Sequence, residues 1–195
     1  VARANKRLQR LEMFRSETIA DQGELGPGGM LPIQVAVQEL PGHRYGLGAD
    51  YSTIDGVGVN GYWLARNVFG HAEQFRLDAA ISNIAFPIDT SAFYYSIGGT
   101  FTKPGVFNPD TDLVASLTAA RDALPGYDQK SITGRTGLNY AYSDQLTLKG
   151  GVEGEIGNVD DAFGNRNFAT AGVYSEATLD TRDSITDPTS GYYLD

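Results

Sequence analysis

The sequence predicts a mainly β, antiparallel protein, and three observations lead to that prediction. Apolar and polar residues alternate in many stretches of about ten residues, as Phe75, Leu77 and Ile81 do against Arg76 and Asp78. The 195 residues include 24 Gly, 11 Tyr and 9 Phe, a composition that favours a glycine-rich sheet. No apolar run approaches the roughly 18 residues that a membrane-spanning helix needs.

The net charge of −9 indicates that the chain does not bind nucleic acid, because a phosphate backbone attracts a basic surface. No catalytic or metal-ligating pattern is found either. His43 and His71 lie far apart in predicted turns, with no companion at metal-ligand spacing. We therefore expect neither an enzyme nor a cofactor.

The first 41 residues predict part of an α+β module. Apolar residues recur at helical spacing at four positions: Ala4, Leu8, Leu11 and Phe14. Strands are predicted at 15–21 and 31–40, on either side of a glycine-rich loop at 23–29. About 40 residues are too few for an independent core, so we expect the rest of this module to precede the chain.

Pro41 and Gly42 mark a boundary, after which the sequence predicts eight strands. These strands are predicted at 44–53, 57–66, 74–83, 93–102, 113–123, 129–142, 146–156 and 171–182, with a loop at 160–167. Ser143 and Asp144 form a turn of the kind that joins neighbouring antiparallel strands.

Strands of about 10 to 14 residues exceed the usual length in globular proteins and suit a tilted crossing of a bilayer. Because a charge facing lipid costs about 2 to 4 kcal/mol at the bilayer midplane, we expect the charged side of these strands to line a wet lumen. The predicted lumen-facing residues are Arg76, Asp78, Arg135, Lys149, Glu153, Glu155, Glu176, Asp180 and Arg182. The predicted lipid-facing residues are Phe75, Leu77, Ile81, Leu148, Val152 and Val173.

Several segments resemble the TamA and BamA superfamily of outer-membrane barrel assembly factors. Leu-Pro-Ile-Gln-Val-Ala-Val-Gln-Glu-Leu at 31–40, followed by Tyr-Gly-Leu-Gly-Ala-Asp-Tyr-Ser-Thr-Ile-Asp-Gly at 45–56, is similar to the junction between its last POTRA domain and its barrel. The segments at 63–73 and 180–192 resemble later parts of the same barrel, and the TamA branch looks closer than BamA.

The resemblance implies that residues 1–41 end the last POTRA domain, in the periplasm of a Gram-negative bacterium. Residues 42–195 would then form the first half of an outer-membrane barrel, which contacts the lipid bilayer. The resemblance also implies a role in inserting or translocating β-barrel clients such as autotransporters, with a TamB-like partner. The chain lacks the family's Val-Arg-Gly-aromatic motif and its closing strand.

The first barrel strand is our hypothesis for one lip of a lateral gate, at Tyr45, Gly46, Leu47, Gly48, Ala49 and Tyr51. Its glycines either weaken strand packing or ease barrel curvature. An open half barrel is also expected to self-associate through its strand edges. Two alternatives stay open: a passive porin-type channel and a soluble lipocalin-like carrier.

Overall fold

The computed structural model describes residues 2–21, 23, 29–53, 56–84 and 87–195. It begins with helix α1 (Ala2–Arg10), followed by β1 (Phe14–Asp21) and β2 (Ile33–Glu39), which form an antiparallel sheet of two strands. The helix ends earlier than its apolar spacing predicts, because Glu12 takes a left-handed φ of 52° and turns the chain into β1. Most of the predicted glycine-rich loop, at 24–28, lies outside the described residues.

The second sheet has nine strands, each paired antiparallel with the next along the chain. Its strands are β3 (His43–Ser52), β4 (Gly56–Arg66), β5 (Gln74–Ile84), β6 (Tyr94–Lys103), β7 (Thr111–Leu124), β8 (Tyr127–Ala141), β9 (Leu146–Asp161), β10 (Gly164–Asp180) and β11 (Tyr193–Leu194). Within the described residues β3 and β11 are its two edges, and no pairing joins them. The sheet is therefore open.

The loop predicted at 160–167 is wrong, because β9 and β10 continue through it. Asp161 pairs directly with Gly164, whose φ of 98° allows a tight turn. Asn158 donates to the side-chain oxygens of Asn165 and Asn167 at 2.7 and 3.0 Å. These amides bond across the strand pair, so their polarity does not indicate a loop.

Strand pairing sorts the side chains of the large sheet onto two faces, since directly opposed residues point to the same side. One row crosses six strands and is largely polar: Arg76, Thr100, Ser116, Arg135, Glu153 and Gly172. The neighbouring row is apolar: Leu77, Gly99, Leu117, Gly134, Gly154 and Ala171. We call the two sides of the sheet the polar face and the apolar face.

Among the residues that the structure describes, none packs against the apolar face. Leu47 is 92% exposed and Val173 is 84% exposed, and among the described residues only Leu64, Ala65 and Val159 are buried hydrophobics. A soluble carrier would require the apolar side chains to converge on one another. They do not converge, so the carrier alternative is not supported. No described helix is long and apolar enough to cross a bilayer.

Candidate functional site

Strand β3 is an edge of the sheet, and the outer side of its backbone over residues 43–51 pairs with no strand that the structure describes. Among the described strands it pairs only with β4, from His43 opposite Ala65 to Ser52 opposite Gly56. Its apolar-face side chains Tyr45, Leu47 and Tyr51 are all strongly exposed. An unpaired edge of this kind offers N–H and C=O groups to another strand.

The glycines of β3 make room for side chains of β4. A Cβ atom at Gly46 would lie 2.1 Å from Cε1 of Tyr62, and one at Gly48 would lie 2.7 Å from Oδ1 of Asn60. Both partners lie on the polar face, where the ring and the amide occupy the space that a larger residue in β3 would need. The sequence suggested two roles for these glycines, weaker strand packing or easier barrel curvature. The structure adds a third role, which is to leave space for the Tyr62 ring and the Asn60 amide.

The Tyr62 ring links the edge of the sheet to two of the predicted lumen-facing residues. The guanidinium carbon of Arg76 lies 4.2 Å from the centre of this ring, and that of Arg44 lies 5.9 Å away. Arg76 also forms an ion pair with Asp78, with Nη2 2.7 Å from Oδ1. The result is a cation–π and ion-pair group spread over β3, β4 and β5.

A second group of polar-face charges lies on β8, β9 and β10. Arg135 Nε is 3.7 Å from Glu153 Oε2, and the Arg135 guanidinium carbon lies 3.6 Å from the centre of the Tyr174 ring. Lys149 forms an ion pair with Glu176. Glu155 accepts a hydrogen bond of 3.2 Å from Gln129. Opposite charges are therefore paired across neighbouring strands.

The remaining predicted polar pair lies at the end of β10. Arg182 Nη2 is 2.7 Å from Asp180 Oδ2, and the Arg182 guanidinium carbon lies 5.0 Å from the centre of the Tyr193 ring. Asp180 is opposite Tyr193 of β11, whereas Arg182 follows the strand. This pair therefore helps to hold the chain where it returns to the sheet.

The residues predicted to face lipid all lie on the apolar face. Phe75 and Leu77 of β5 oppose Ala65 and Trp63 of β4, and Ile81 opposes Val59. On β9 and β10, Leu148 lies opposite Ala177, and Val152 lies opposite Val173. Aromatic rings gather near the strand ends on this face, where Trp63 and Phe75 pack edge to face at 6.2 Å. Such rings are typical of the interface level of membrane strands.

Sequence reasoning missed a contact between α1 and two turns of the large sheet, which we call the helix–turn ion cluster. Its members are Arg3, Lys6, Arg7 and Arg10 of α1 with Asp110 of the β6–β7 turn, Asp112 at the start of β7, and Asp144 of the β8–β9 turn. Positions 3, 6, 7 and 10 lie on one side of a helix. Four basic residues at this spacing were the signal in the sequence that this side of α1 could bind acidic partners. The partner turns lie about a hundred residues away, so the sequence alone did not identify them.

Asp110 is the centre of the helix–turn ion cluster. Arg7 reaches it with two donors at 2.7 and 3.0 Å, Arg3 lies 3.1 Å away, and Arg10 lies 3.4 Å away. The hydrogen bonds from Arg7, with the nearby charge of Arg3, lower the pKa of Asp110 to about 2. The carboxylate is therefore held in its charged form.

Both histidines contact a neighbouring side chain. Trp63 Nε1 donates to His43 Nδ1 at 3.2 Å, and His71 Nδ1 lies 3.7 Å from Glu73 Oε1. Within residues 2–195, the gaps at 22, 24–28, 54–55 and 85–86 aside, no three His, Cys, Asp or Glu side chains come together as a metal site.

Comparison with known proteins identifies a family and similar solved structures, one of which is described here. The Omp85 superfamily domain matches residues 67–195. A crystal structure of BamA from Haemophilus ducreyi lacking POTRA domains 1–3 is similar, with a TM-score of 0.68 and 12% sequence identity, over 98% of this chain and 40% of the BamA chain. No curated protein matches the sequence. At this identity the structural likeness shows the fold, and the chain spans two fifths of the BamA chain.

Proposed function

Since the chain belongs to the Omp85 superfamily, we propose that it is the barrel segment of a factor that assists insertion or translocation of other outer-membrane proteins. The family resemblance and the mainly β, antiparallel fold predicted from the sequence are confirmed, the latter as an unclosed part of a BamA-like barrel. Family and fold indicate the outer membrane of a Gram-negative bacterium. Members of the family are not enzymes.

The observation that supports this proposal is the free edge of β3. A client strand that adds to this edge would exchange main-chain hydrogen bonds with it, as in other strand-addition complexes. Leu47 and its neighbours on the apolar face would contact the outward side chains of that client. Tyr62, seated over Gly46, would support the edge from the polar face.

The two faces of the sheet fit different surroundings. We propose that the apolar face meets hydrocarbon, because its large side chains are exposed and have no packing partner among the described residues. The polar face would then line the lumen, where the paired charges of β8, β9 and β10 remain hydrated. Burial of those charges against lipid would cost several kcal/mol, on the order of 2 to 4 for each at the midplane.

The domain division and the partners belong to the same proposal. Residues 1–41 would be the end of the last POTRA domain, since β1 and β2 form a small sheet of their own that shares no strand pairing with the large sheet among the described residues. The TamA branch, autotransporter clients and a TamB-like partner rest only on the sequence resemblance. Self-association of the isolated chain would use the same free edge as a client.

Site-specific photocrosslinking of the complete protein during client assembly tests the proposal. We expect a crosslinking residue at position 47 to capture client strands, because this position lies on the unpaired strand. Position 117 is the matched control: Leu117 is also exposed on the apolar face, at 61%, but its strand is paired on both sides.

Equal capture from positions 47 and 117 would contradict a role for the β3 edge. Ion conductance without capture from either position would instead favour the passive channel.

A further inference from the structure

The apolar face ends in a line of polar side chains on the four long strands. Successive register partners across β7, β8, β9 and β10 are Arg121, Lys130, Asn158 and Asn167. The adjoining row toward the middle of the strands is apolar: Ala119, Ile132, Ile156 and Ala169. The change from apolar to polar therefore occurs at one level, near the hairpin ends remote from α1.

Lys130 is the uncommitted cation of this line. Arg121 is already engaged, with Nη2 2.6 Å from Asp128 Oδ2 and 2.8 Å from the Ser91 carbonyl oxygen. Lys130 is exposed, and among the residues that the structure describes its ammonium has no ion pair or hydrogen bond, and its one electrostatic neighbour, Asp128, is already bound by Arg121. An ammonium with three free donors at an apolar boundary suits an anionic oxygen group.

A groove lies directly beside Lys130 on the apolar face. It has a volume of about 570 Å³, and its lining includes Tyr95, Ile132 and Ile156 together with Lys130, Asn158 and Asn167. The aliphatic and aromatic walls match a hydrocarbon chain, and the polar residues stand at one end. A ligand that fits both parts has an acyl chain and an anionic head.

The level of Lys130 agrees with a lipid headgroup. Lys130 and Tyr140 lie on the apolar face of the same strand, β8, and are ten residues apart along it. Tyr140 is near the opposite end of that strand. With a rise of about 3.4 Å per residue and a tilt of about 45°, this distance corresponds to about 24 Å across the membrane, close to the apolar band of barrel proteins. Lys130 would therefore lie where lipid phosphates begin.

We propose that the groove binds a phosphorylated lipid, with its acyl chain against Ile132 and Ile156 and its phosphate at Lys130 and the Asn167 amide. Asp128 and Asp160 lie one row further from the apolar surface and would repel an anion there, which keeps the phosphate at the level of Lys130. This site rests on contact of the apolar face with lipid and is independent of capture of clients by β3.

Native mass spectrometry of the complete protein in detergent, with dioleoyl phosphatidic acid as the probe, tests the site. We expect Lys130→Gln to weaken retention of the lipid about tenfold, the loss typical of one charge-assisted hydrogen bond, and Lys130→Arg to retain it. Lys103→Gln is the charge-matched control. Lys103 also lies on the apolar face, but at the end of the sheet near α1, whereas Lys130 lies near the other end.

Three results would overturn the proposal, each obtained with variants whose heat-modifiable electrophoretic mobility shows that they are folded. The first is equal retention of phosphatidic acid by the wild type and Lys130→Gln. The second is equal retention of dioleoylglycerol, which lacks the phosphate. The third is displacement of the lipid by equimolar inorganic phosphate, which would leave no role for the apolar groove.

Discussion

At the scale of single residues, glycines on the polar face allow a neighbouring ring to lie flat on the sheet. A Cβ atom at Gly137 would lie 2.2 Å from the Tyr174 hydroxyl, and one at Gly151 would lie 2.8 Å from it. Arg135 covers the exposed side of the ring. The glycines, the tyrosine and the arginine therefore form one packed unit across three strands.

Gly151→Ala should destabilise the folded protein by about 1 to 3 kcal/mol, the usual cost of overpacking. Its Cβ would lie 2.2 Å from the Thr136 carbonyl oxygen and 2.6 Å from Gly137 Cα, so backbone atoms would have to move. Gly154→Ala is the matched control on the same strand, because its nearest atom would be 3.5 Å away. Urea unfolding in detergent measures both variants, and equal midpoints would contradict the packing role of Gly151.

Alternation in the sequence was enough to separate the six predicted lipid-facing residues from the eight predicted lumen-facing residues that lie within strands; the ninth, Arg182, follows β10. Their roles toward water and lipid stay predictions. The packing of Tyr62 on Gly46, and of Tyr174 on Gly137, depends on which residues face each other across strands. That register is set by pairings along the whole sheet, so the local pattern around each glycine did not contain it.

At the scale of elements, the helix–turn ion cluster joins α1 to the large sheet. Its contributions are unequal, because Lys6 and Asp144 are both more than half exposed while Asp110 is only 15% exposed. Exposed pairs contribute little, so Asp110 is expected to dominate the contact. Two backbone contacts support it: Gln74 donates to the Leu11 carbonyl at 2.8 Å, and Arg66 donates to that of Glu12 at 3.1 Å.

The helix–turn ion cluster should persist into acid. Because the pKa of Asp110 falls from 3.8 to about 2 on folding, its contribution is complete above pH 3.8 and is lost as the pH falls toward 2. Spin labels at positions 4 and 107 report the separation of α1 and the β6–β7 turn, and the chain has no Cys that would interfere. We expect a short separation at pH 3.8 that lengthens near pH 2.

Asp110→Asn supplies the control for this titration. The amide cannot hold three guanidinium groups by charge, so the label separation should be long or broadly distributed throughout the pH range. An unchanged separation in this variant would mean that the backbone contacts hold α1 without the carboxylate.

Sequence patterns predicted the strands of the large sheet better than the breaks between them. The predicted strands at 44–53 and 57–66 differ from β3 and β4 by one residue at most at each end. The loop predicted at 160–167 is wrong because the Asn158, Asn165 and Asn167 amides hydrogen-bond to one another within the β9–β10 pair.

At the scale of the whole molecule, the open sheet has an exposed apolar face and a free edge at β3. The isolated chain should therefore self-associate without detergent, as sedimentation velocity can measure. Leu47→Lys should reduce this association more than Leu117→Lys does, because a charge on an edge strand blocks further pairing while both variants add the same charge. A monodisperse monomer of the unsubstituted chain would contradict this expectation.

The main strands of the large sheet form a short group and a long group: β3 to β6 have 10 or 11 residues and β7 to β10 have 14 to 17, so the extremes are 10 and 17 residues. At about 3.4 Å per residue and a tilt of about 45°, these lengths correspond to heights of about 24 and 41 Å. The long strands are therefore tall enough to extend beyond the hydrocarbon of a bilayer, whereas the height of about 24 Å for β3 matches the apolar band of barrel proteins, which is about 25 Å tall. Any shortening of β3 would therefore create a hydrophobic mismatch, which the adjoining lipid would have to accommodate by thinning.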